Sequence, residues 1–431
     1  MNAPPPAQPD SRPAHRAAFY VAAMLVLLVS AALHWAAPFR LPMMVDEAIG
    51  IGWARDVLNG LPFEGLRDAR WLDSPIHAIF HPLGPESLGL ARTVTGLVAL
   101  LTCASAIGLG CRLHSKAAGL LAGLLYATLP YSVFFDRQVL GDPFAAAFGG
   151  VMAVSAVTLA RQPRLMPAAL VAVTLAAAIF SKFAAVLLAP LPLLAALLLA
   201  PRGSRERALL YVGVAILLTA VLILGVLLVA DRFVEPYRSP LNPAYEWNWN
   251  RAEAGGAPLP ERWPDTAQRI AETFGWFVGW PLVALALASA WFIAARPRRR
   301  EALWLWAAGM GIILPFLAVT TYLPARYFSF VMMPFVLMAA ITAVELARLA
   351  GRTPARRQAA GAALALALLG WSLLRSVNVI AQPGETTMPR FELDGYYGSR
   401  YSAMGLERVR AALLAYQAEH PGPVHVVFDG V

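Results

Sequence analysis

The stretch RLPMMVDEAIGIGWARDVLNG, residues 40–60, places two carboxylates, Asp46 and Glu47, side by side just after the first long apolar run of the chain. An ionisable side chain at membrane depth costs about 2.5–3.5 kcal/mol on insertion scales, so each carboxylate needs a partner or a function. Adjacent residues of a helix point about 100° apart, so we expect the two carboxylates to have different targets.

The composition identifies an integral membrane protein. Of the 431 residues, 58% are hydrophobic and only 14% are charged, which excludes a soluble domain with one core. The formal net charge is +9, but the basic residues lie in short clusters between apolar runs. This pattern is typical of membrane topology, and we predict no nucleic-acid partner.

Apolar runs long enough to cross a membrane recur along the chain, and they predict an all-α polytopic bundle of about eleven transmembrane helices. The first run is too long for the apolar region of a signal peptide, so we expect it to be a retained helix. The predicted spans are residues 17–37, 88–110, 115–135, 143–160, 165–181, 183–200, 208–230, 275–295, 302–320, 328–348 and 358–379.

The Arg clusters all fall on one side of these spans, which the positive-inside rule assigns to the cytoplasm. Residues 1–16 are then a disordered cytoplasmic tail, and residues 17–380 form the transmembrane domain. Two long loops, residues 38–87 and 231–274, lie on the outer face. The polar residues 381–431 lie there too, with an amphipathic helix and a β-like VHVVF that resemble the start of a truncated α/β domain.

We single out a few ionisable residues beside the apolar runs as candidates, and all of these candidates map to the outer ends of predicted helices. Besides Asp46 and Glu47 they are Asp136, Arg137 and Asp142 in FFDRQVLGDPF, Lys182 in FSKFAAVLLAP, and Arg326 beside Tyr327 in LPARYFSF. Capping and snorkelling explain any one of them, and Asp142 before Pro143 fits a helix N-cap. Together, the acids and cations predict a pocket for an anionic substrate.

In order and spacing these motifs resemble the GT-C glycosyltransferases, in the branch of protein O-mannosyltransferases and bacterial lipid A aminoarabinose transferases. The resemblance covers residues 17–380 and rests on the Asp-Glu pair, LYATLPYSVFFDRQVLGDPFAAAF, SKFAAVLLAPLPLLAAL and LPARYFSFVMMPFVLMAA. The first loop departs from it, because DSPIHAIFHPLGP stands where many relatives carry His-Pro-Pro. The resemblance implies a GT-C-like bundle in a bacterial inner membrane, with its active site on the outer face.

The resemblance also implies an activity, the transfer of a sugar, with inversion, from a polyprenyl-phosphate carrier to an outer-face glycolipid, polysaccharide or protein hydroxyl. The sequence has no Asp-x-Asp motif and no Gly-rich phosphate loop, consistent with a lipid-borne donor. Asp46 is the implied general base, and Glu47 orients a loop or a cation. The phosphate ligands are then Arg137, Lys182 and Arg326, supported by Asp136, Asp142 and Tyr327, with membrane lipids as further partners.

Several alternatives stay open. His77 and His81 have the spacing of a helical metal pair but lack a third ligand nearby, so we predict no metal site, although a divalent cation is compatible with the activity. Trp247 and Trp249 suit either stacking on sugars or anchoring at the interface.

Two other functions fit a polytopic protein of this kind. A lipid or solute transporter, or flippase, is the main alternative from another class, and an O-antigen ligase or polymerase is the alternative within the enzymes. Charges gathered at one face rather than at the midplane favour surface chemistry over transport.

Overall fold

The computed structural model describes residues 13–68, 70–80, 87–233, 259–294, 298–319, 324–350, 353–393, 396–397, 406–420 and 422. This part of the chain is a bundle of helices joined by short turns, and it contains no β-strand. The predicted all-α class is therefore confirmed for the described residues. The predicted VHVVF strand and both Trp247 and Trp249 lie outside them.

Eighteen α-helices, numbered here in chain order, form most of the described structure. They are α1 (Pro13–Trp35), α2 (Val45–Leu58), α3 (Asp73–Phe80), α4 (Ser87–Leu113), α5 (Lys116–Thr128), α6 (Pro130–Phe135), α7 (Gly141–Arg161), α8 (Leu165–Ser181), α9 (Pro190–Leu199), α10 (Arg205–Ala230), α11 (Leu259–Thr273), α12 (Trp280–Ala288), α13 (Trp291–Ala294), α14 (Arg299–Val319), α15 (Ser329–Ala350), α16 (Pro354–Ala381), α17 (Arg390–Leu393) and α18 (Leu406–Glu419).

Seven described segments are long and apolar enough to cross a membrane, which makes this a multi-pass membrane protein. They are Arg16–Trp35, Ser87–Leu113, Gly141–Arg161, Arg202–Ala230, Trp263–Ala288, Ala325–Ala350 and Pro354–Ala381. Three shorter apolar segments, Lys116–Thr128, Leu165–Ser181 and Phe183–Leu199, accompany them. The predicted count of about eleven spans is not established by these lengths. The C-terminal amphipathic segment is helical, as predicted, and forms α18.

The core of the bundle is built on close helix contacts at small residues. Gly110 on α4 faces Gly119 on α5 so closely that a side chain on either would overlap the other helix. Helix α15 lies inside this core, and its residues from Ser329 to Ala343 are all buried. Helix α10 instead leaves much of its apolar surface exposed, as expected for a helix that faces lipid.

The first predicted outer loop is an ordered layer of short helices over one end of the bundle, called the outer end below. The amides of Trp71 and Leu72 donate to the carbonyl of Phe180, at the end of α8, over 2.6 and 3.1 Å. The indole of Trp71 donates to the carbonyl of Pro62 over 2.6 Å, which closes the loop on itself. These bonds hold the loop that carries α2 and α3 against the end of α8.

Helices α7 and α8 meet at the outer end through a glycine. A Cβ on Gly141, the first residue of α7, would overlap the carbonyl oxygen of Ser181, the last residue of α8. The residues that follow these two positions are Asp142 and Lys182. The close approach therefore brings together two of the predicted site residues.

We expect Gly141→Ala to destabilise the protein by about 1–3 kcal/mol, because the added methyl group forces α7 and α8 apart. Gly213→Ala on α10 is the matched control, since no atom lies within 4 Å of its added Cβ. Thermal unfolding of the two purified variants in the same detergent provides the measurement. Equal stability of both variants and the parent protein would contradict the close approach.

Candidate functional site

Glu47 and Arg92 form a fully buried ion pair beneath the outer loop. Two nitrogens of Arg92 donate to the two carboxylate oxygens of Glu47 over 2.8 and 2.6 Å. The remaining donors of the guanidinium reach three backbone carbonyls, those of Pro38, Leu41 and Pro42, over 2.5, 2.8 and 3.2 Å. All five N–H groups of Arg92 are thereby used, as a buried guanidinium requires.

The Glu47 carboxylate also accepts two backbone amides. The amide of Met44 donates to it over 3.1 Å at the start of α2, and the amide of Val139 donates over 3.0 Å from the turn before α7. One carboxylate thus joins the first turn of α2, helix α4 and the segment that leads to Asp142. Glu47 has no exposed surface from which to contact a substrate directly.

Asp46 points to a different partner, as expected for an adjacent helical residue. Its carboxylate forms an ion pair with the guanidinium of Arg326, and the two side chains keep 23% and 14% of their surfaces exposed. Its backbone carbonyl accepts a hydrogen bond from Arg70 over 3.2 Å. Asp46 is therefore both held in place and reachable from outside the bundle.

A second acid–cation pair lies beside the first. Lys182, just after α8, forms an ion pair with Asp142 in the first turn of α7. The ammonium of Lys182 lies 3.9 Å from the ring centroid of Tyr327, and the Arg326 guanidinium lies 5.8 Å from the same centroid. The aromatic ring of Tyr327 thus lies against the Lys182 ammonium and near the Arg326 guanidinium.

The charges around Asp46 set its protonation state. Burial acts to raise the pKa of its carboxyl, but the positive charges of Arg326 and Arg70 outweigh burial and lower that pKa below its usual value. Asp46 is therefore ionised at neutral pH. Arg70 itself stacks on the indole of Trp53, with the guanidinium 4.4 Å from the ring centroid.

Asp136 and Arg137 lie apart from this cluster, in a buried group near α1. Asp136 accepts a hydrogen bond from the hydroxyl of Tyr126 over 2.7 Å and lies 3.7 Å from the imidazole of His34. Arg137 donates to the backbone carbonyl of Ala36 over 2.8 Å and is almost fully buried. The structure thus brings Asp46, Asp142, Lys182, Arg326 and Tyr327 together, and it does not place Asp136 or Arg137 among them.

The histidine pair considered from the sequence is only partly described. The Nε2 atom of His77 lies 3.0 Å from the hydroxyl of Thr95, and the imidazole packs edge-on against Phe144. His81 lies outside the described residues. Within the described part of the chain, no group of three or more His, Cys, Asp or Glu side chains could hold a metal ion.

Sequence reasoning missed three charged residues that the structure places at or behind the site. Arg92 lies inside a predicted span, so the criterion that singled out Lys182 would have found it. Arg70 and Glu392 lie in polar segments, where a charge is ordinary and gives no signal. Glu392 accepts a hydrogen bond from the backbone next to Arg326.

We expect Arg92→Met to destabilise the protein by about 3–5 kcal/mol, because it leaves the Glu47 carboxylate buried without its counter-ion. Adding Glu47→Leu should recover part of this loss, since replacing both partners of a buried pair by apolar residues is tolerated far better than removing one. Arg164→Met, at an exposed arginine before α8, is the control. Thermal unfolding of the purified variants checks this order of stabilities. An Arg92→Met variant as stable as Arg164→Met would contradict the structural role of the ion pair.

The fold is shared with solved membrane proteins, although no protein-family model and no curated protein matches the chain. The apo structure of ArnT from Cupriavidus metallidurans has a TM-score of 0.58 at 12% identity, covering 85% of this chain and 76% of that one. ArnT from the same organism bound to undecaprenyl phosphate gives 0.54 at 15% identity, with 85% and 72% covered.

The archaeal oligosaccharyltransferase AglB from Archaeoglobus fulgidus is similar as well. Its complex with an inhibitory peptide and a dolichol-phosphate gives a TM-score of 0.54 at 12% identity and covers 88% of this chain. The chain spans 57% of the length of AglB. AglB and ArnT are GT-C fold glycosyltransferases, so the predicted bundle is confirmed, and this chain has the GT-C fold.

Proposed function

We propose that the protein is a membrane glycosyltransferase that moves a sugar from a polyprenyl-phosphate carrier to a hydroxyl of an outer-face acceptor. The observation that carries the proposal is the pair of cations, Arg326 and Lys182, gathered with Asp46 and Asp142 at the outer end of a GT-C bundle. The fold supports it, because the similar structures of AglB and ArnT include a dolichol-phosphate and undecaprenyl phosphate, respectively.

The cations suit the leaving group of this reaction. A polyprenyl phosphate departs as an anion, so positive charge near its oxygens lowers the barrier more than a proton donor does. The planar guanidinium of Arg326 can contact two phosphate oxygens at once, and Lys182 supplies a compact charge beside it. Arg70, which lies against Asp46, adds a third positive charge.

Asp46 suits the role of general base. The acceptor hydroxyl would give its proton to the Asp46 carboxylate while its oxygen attacks the anomeric carbon, and the phosphate would leave from the opposite side of the sugar with inversion. In the free protein Arg326 lowers the pKa of Asp46 and makes it a weak base. A carrier phosphate that engages Arg326 would weaken this effect, so donor binding would itself make Asp46 a stronger base.

Glu47 and Arg137 take supporting roles in this proposal. Glu47 positions Asp46 by holding the first turn of α2 through Arg92 and two amides. Arg137 remains a predicted phosphate ligand, but its donation to the carbonyl of Ala36 places it behind the cluster. We therefore assign phosphate binding first to Arg326 and Lys182.

A narrow apolar cleft lies inside the bundle. It is lined by residues of α4, α7, α9, α14 and α15, among them Trp304, Phe330 and Met333, and two of its lining residues, Ser329 and Leu188, follow Arg326 and Lys182 in sequence by three and six positions. Apolar side chains are what an isoprenoid requires, and flexible residues such as Met333 can move to widen the cleft. We propose that the first isoprene units of the carrier enter here.

Turnover of a labelled polyprenyl-phosphate sugar by the purified, reconstituted protein tests the function. We expect release of polyprenyl phosphate and labelling of an envelope acceptor fraction, both strongly reduced in Asp46→Asn. A nucleotide sugar without a lipid carrier should give no product, because the proposed donor is a sugar carried on polyprenyl phosphate. Carrier-independent turnover of a nucleotide sugar, or movement of the lipid across the bilayer without sugar transfer, would overturn the proposal.

The kinetic roles can be separated with three variants. Asp46→Asn should lower kcat by about 10²-fold to 10⁴-fold, the usual contribution of a general base. Its KM for the carrier should stay equal or fall, because the amide no longer competes for Arg326. Arg326→Ala should instead raise KM and lower kcat, since the phosphate is present in both ground and transition states.

Asp231→Asn, at an exposed aspartate that ends α10, is the matched control and should behave as the parent protein. The same preparations are compared by thermal unfolding, so that a loss of turnover is not mistaken for a loss of fold. An active Asp46→Asn variant with slightly reduced stability would show that Asp46 only caps α2 and that the base lies elsewhere.

A further inference from the structure

The chain folds back onto the outer end of the bundle after its last long helix. Helix α17 and the residues around it, 388–393 with 396–397, form a segment that we call the outer strap. Met388 and Tyr396 of the strap are buried in the main core of the bundle. The strap is therefore part of the packed structure.

One side chain of the strap contacts the turn that carries Arg326. The Glu392 carboxylate is 6% exposed and accepts a hydrogen bond from the backbone amide of Ala325 over 2.7 Å. Ala325 and Arg326 open the short 3₁₀ turn that leads into α15. Glu392 thus holds the first amide of this turn, one residue before the cation that pairs with Asp46.

The opposite side of the same turn is held by Tyr131 of α6. Its buried hydroxyl lies 2.8 Å from the carbonyl oxygen of Ala325 and 2.9 Å from that of Arg326, and donates to both. The backbone around Arg326 is thereby fixed by side chains from two other segments. Glu392 accepts from the Ala325 amide, and the Tyr131 hydroxyl donates to the carbonyls of Ala325 and Arg326. Neither side chain takes part in the ion pair of Arg326 with Asp46.

The strap is anchored at its far end as well. The hydroxyl of Tyr396 donates to the side-chain carbonyl of Gln138, and its ring packs edge-on against Phe134 with centroids 5.1 Å apart. These contacts fix the strap to the segment between α6 and α7. Glu392 therefore lies on an element held at two places, so it can define the position of the turn rather than follow it.

Burying a carboxylate at this position costs desolvation free energy, which indicates that the residue has a specific role. Burial raises the pKa of Glu392, against the favourable effects of the Ala325 amide and the Arg326 charge. A well-packed apolar residue would avoid the desolvation cost but could not accept the amide. The feature that Glu392 supplies and an apolar residue cannot is the orientation of the Arg326 turn.

We propose that Glu392 is a positioning residue of the donor site, through which the outer strap sets where Arg326 meets the carrier phosphate. The proposal rests on the function proposed above. Glu392 contacts neither the phosphate nor the reacting sugar in this arrangement, because its carboxylate is buried behind the turn. Its effect therefore reaches the donor only through Arg326.

Binding of polyprenyl phosphate, the carrier without its sugar, to the full-length detergent-solubilised protein tests this. Glu392→Met keeps the volume and removes the acceptor, so we expect Kd for the carrier to rise about 10-fold, as for loss of one hydrogen bond. Glu392→Gln keeps an acceptor oxygen and should stay within about threefold of the parent protein. Glu385→Met, at an exposed glutamate outside the strap, should bind as the parent does.

Combining substitutions distinguishes positioning from a general loss of packing. In an Arg326→Ala background, Glu392→Met should not weaken carrier binding further, because the residue through which it acts is gone. Tyr131→Phe removes the hydroxyl from the other side of the turn and should weaken binding in the same Arg326-dependent way. If the Glu392→Met variant does not fold, Tyr131→Phe provides the test of the proposal instead.

Each result decides between the two proposals. A folded Glu392→Met variant that binds the carrier as tightly as the parent overturns the role of Glu392 and leaves the proposed function standing. An equal loss of binding with and without Arg326 also overturns it, since the effect would not pass through Arg326. A parent protein that fails to bind polyprenyl phosphate overturns the proposed function, and the positioning role with it.

Discussion

The buried ion pair between Glu47 and Arg92 is the interaction on which the outer end of the protein depends. It joins the loop after α1, the first turn of α2, helix α4 and the turn before α7 at a single point. Because Asp46 precedes Glu47 on the same helical turn, the inward direction of Glu47 fixes the outward direction of Asp46. An interaction that serves the fold thus orients the candidate base.

The cost of burying an unpaired charge also explains why Arg326 and Lys182 each have a carboxylate partner in the free protein. A cation held without a partner at a helix end among apolar residues would be expensive, and the structure avoids this by pairing Arg326 with Asp46 and Lys182 with Asp142. An arriving phosphate can replace a carboxylate as the partner of a cation, so the cation is paired both before and after the phosphate binds. A site of this kind can be stable when empty and still favour an anion.

Arg326 is the residue where most of these contacts meet. Its charge pairs with Asp46, its guanidinium lies near the Tyr327 ring, and its backbone is held by Tyr131 on one side and by the Glu392–Ala325 bond on the other. These partners come from α2, the turn before α15, α6 and the outer strap. The candidate donor site is therefore formed by segments that are distant in sequence, and a change in any of them should alter the position of Arg326.

The sequence by itself determined the membrane class, the helical fold and the family resemblance, because apolar runs, Arg clusters and ionisable residues at helix ends are local signals. It also determined that Asp46 and Glu47 diverge, since that follows from helix geometry. Only the tertiary structure decided which acid meets which cation. Arg137 and Lys182 gave the same signal, yet Arg137 turns to the Ala36 carbonyl while Lys182 meets Asp142. The partners of a charge come from segments far away in sequence, and no local pattern specifies how those segments pack.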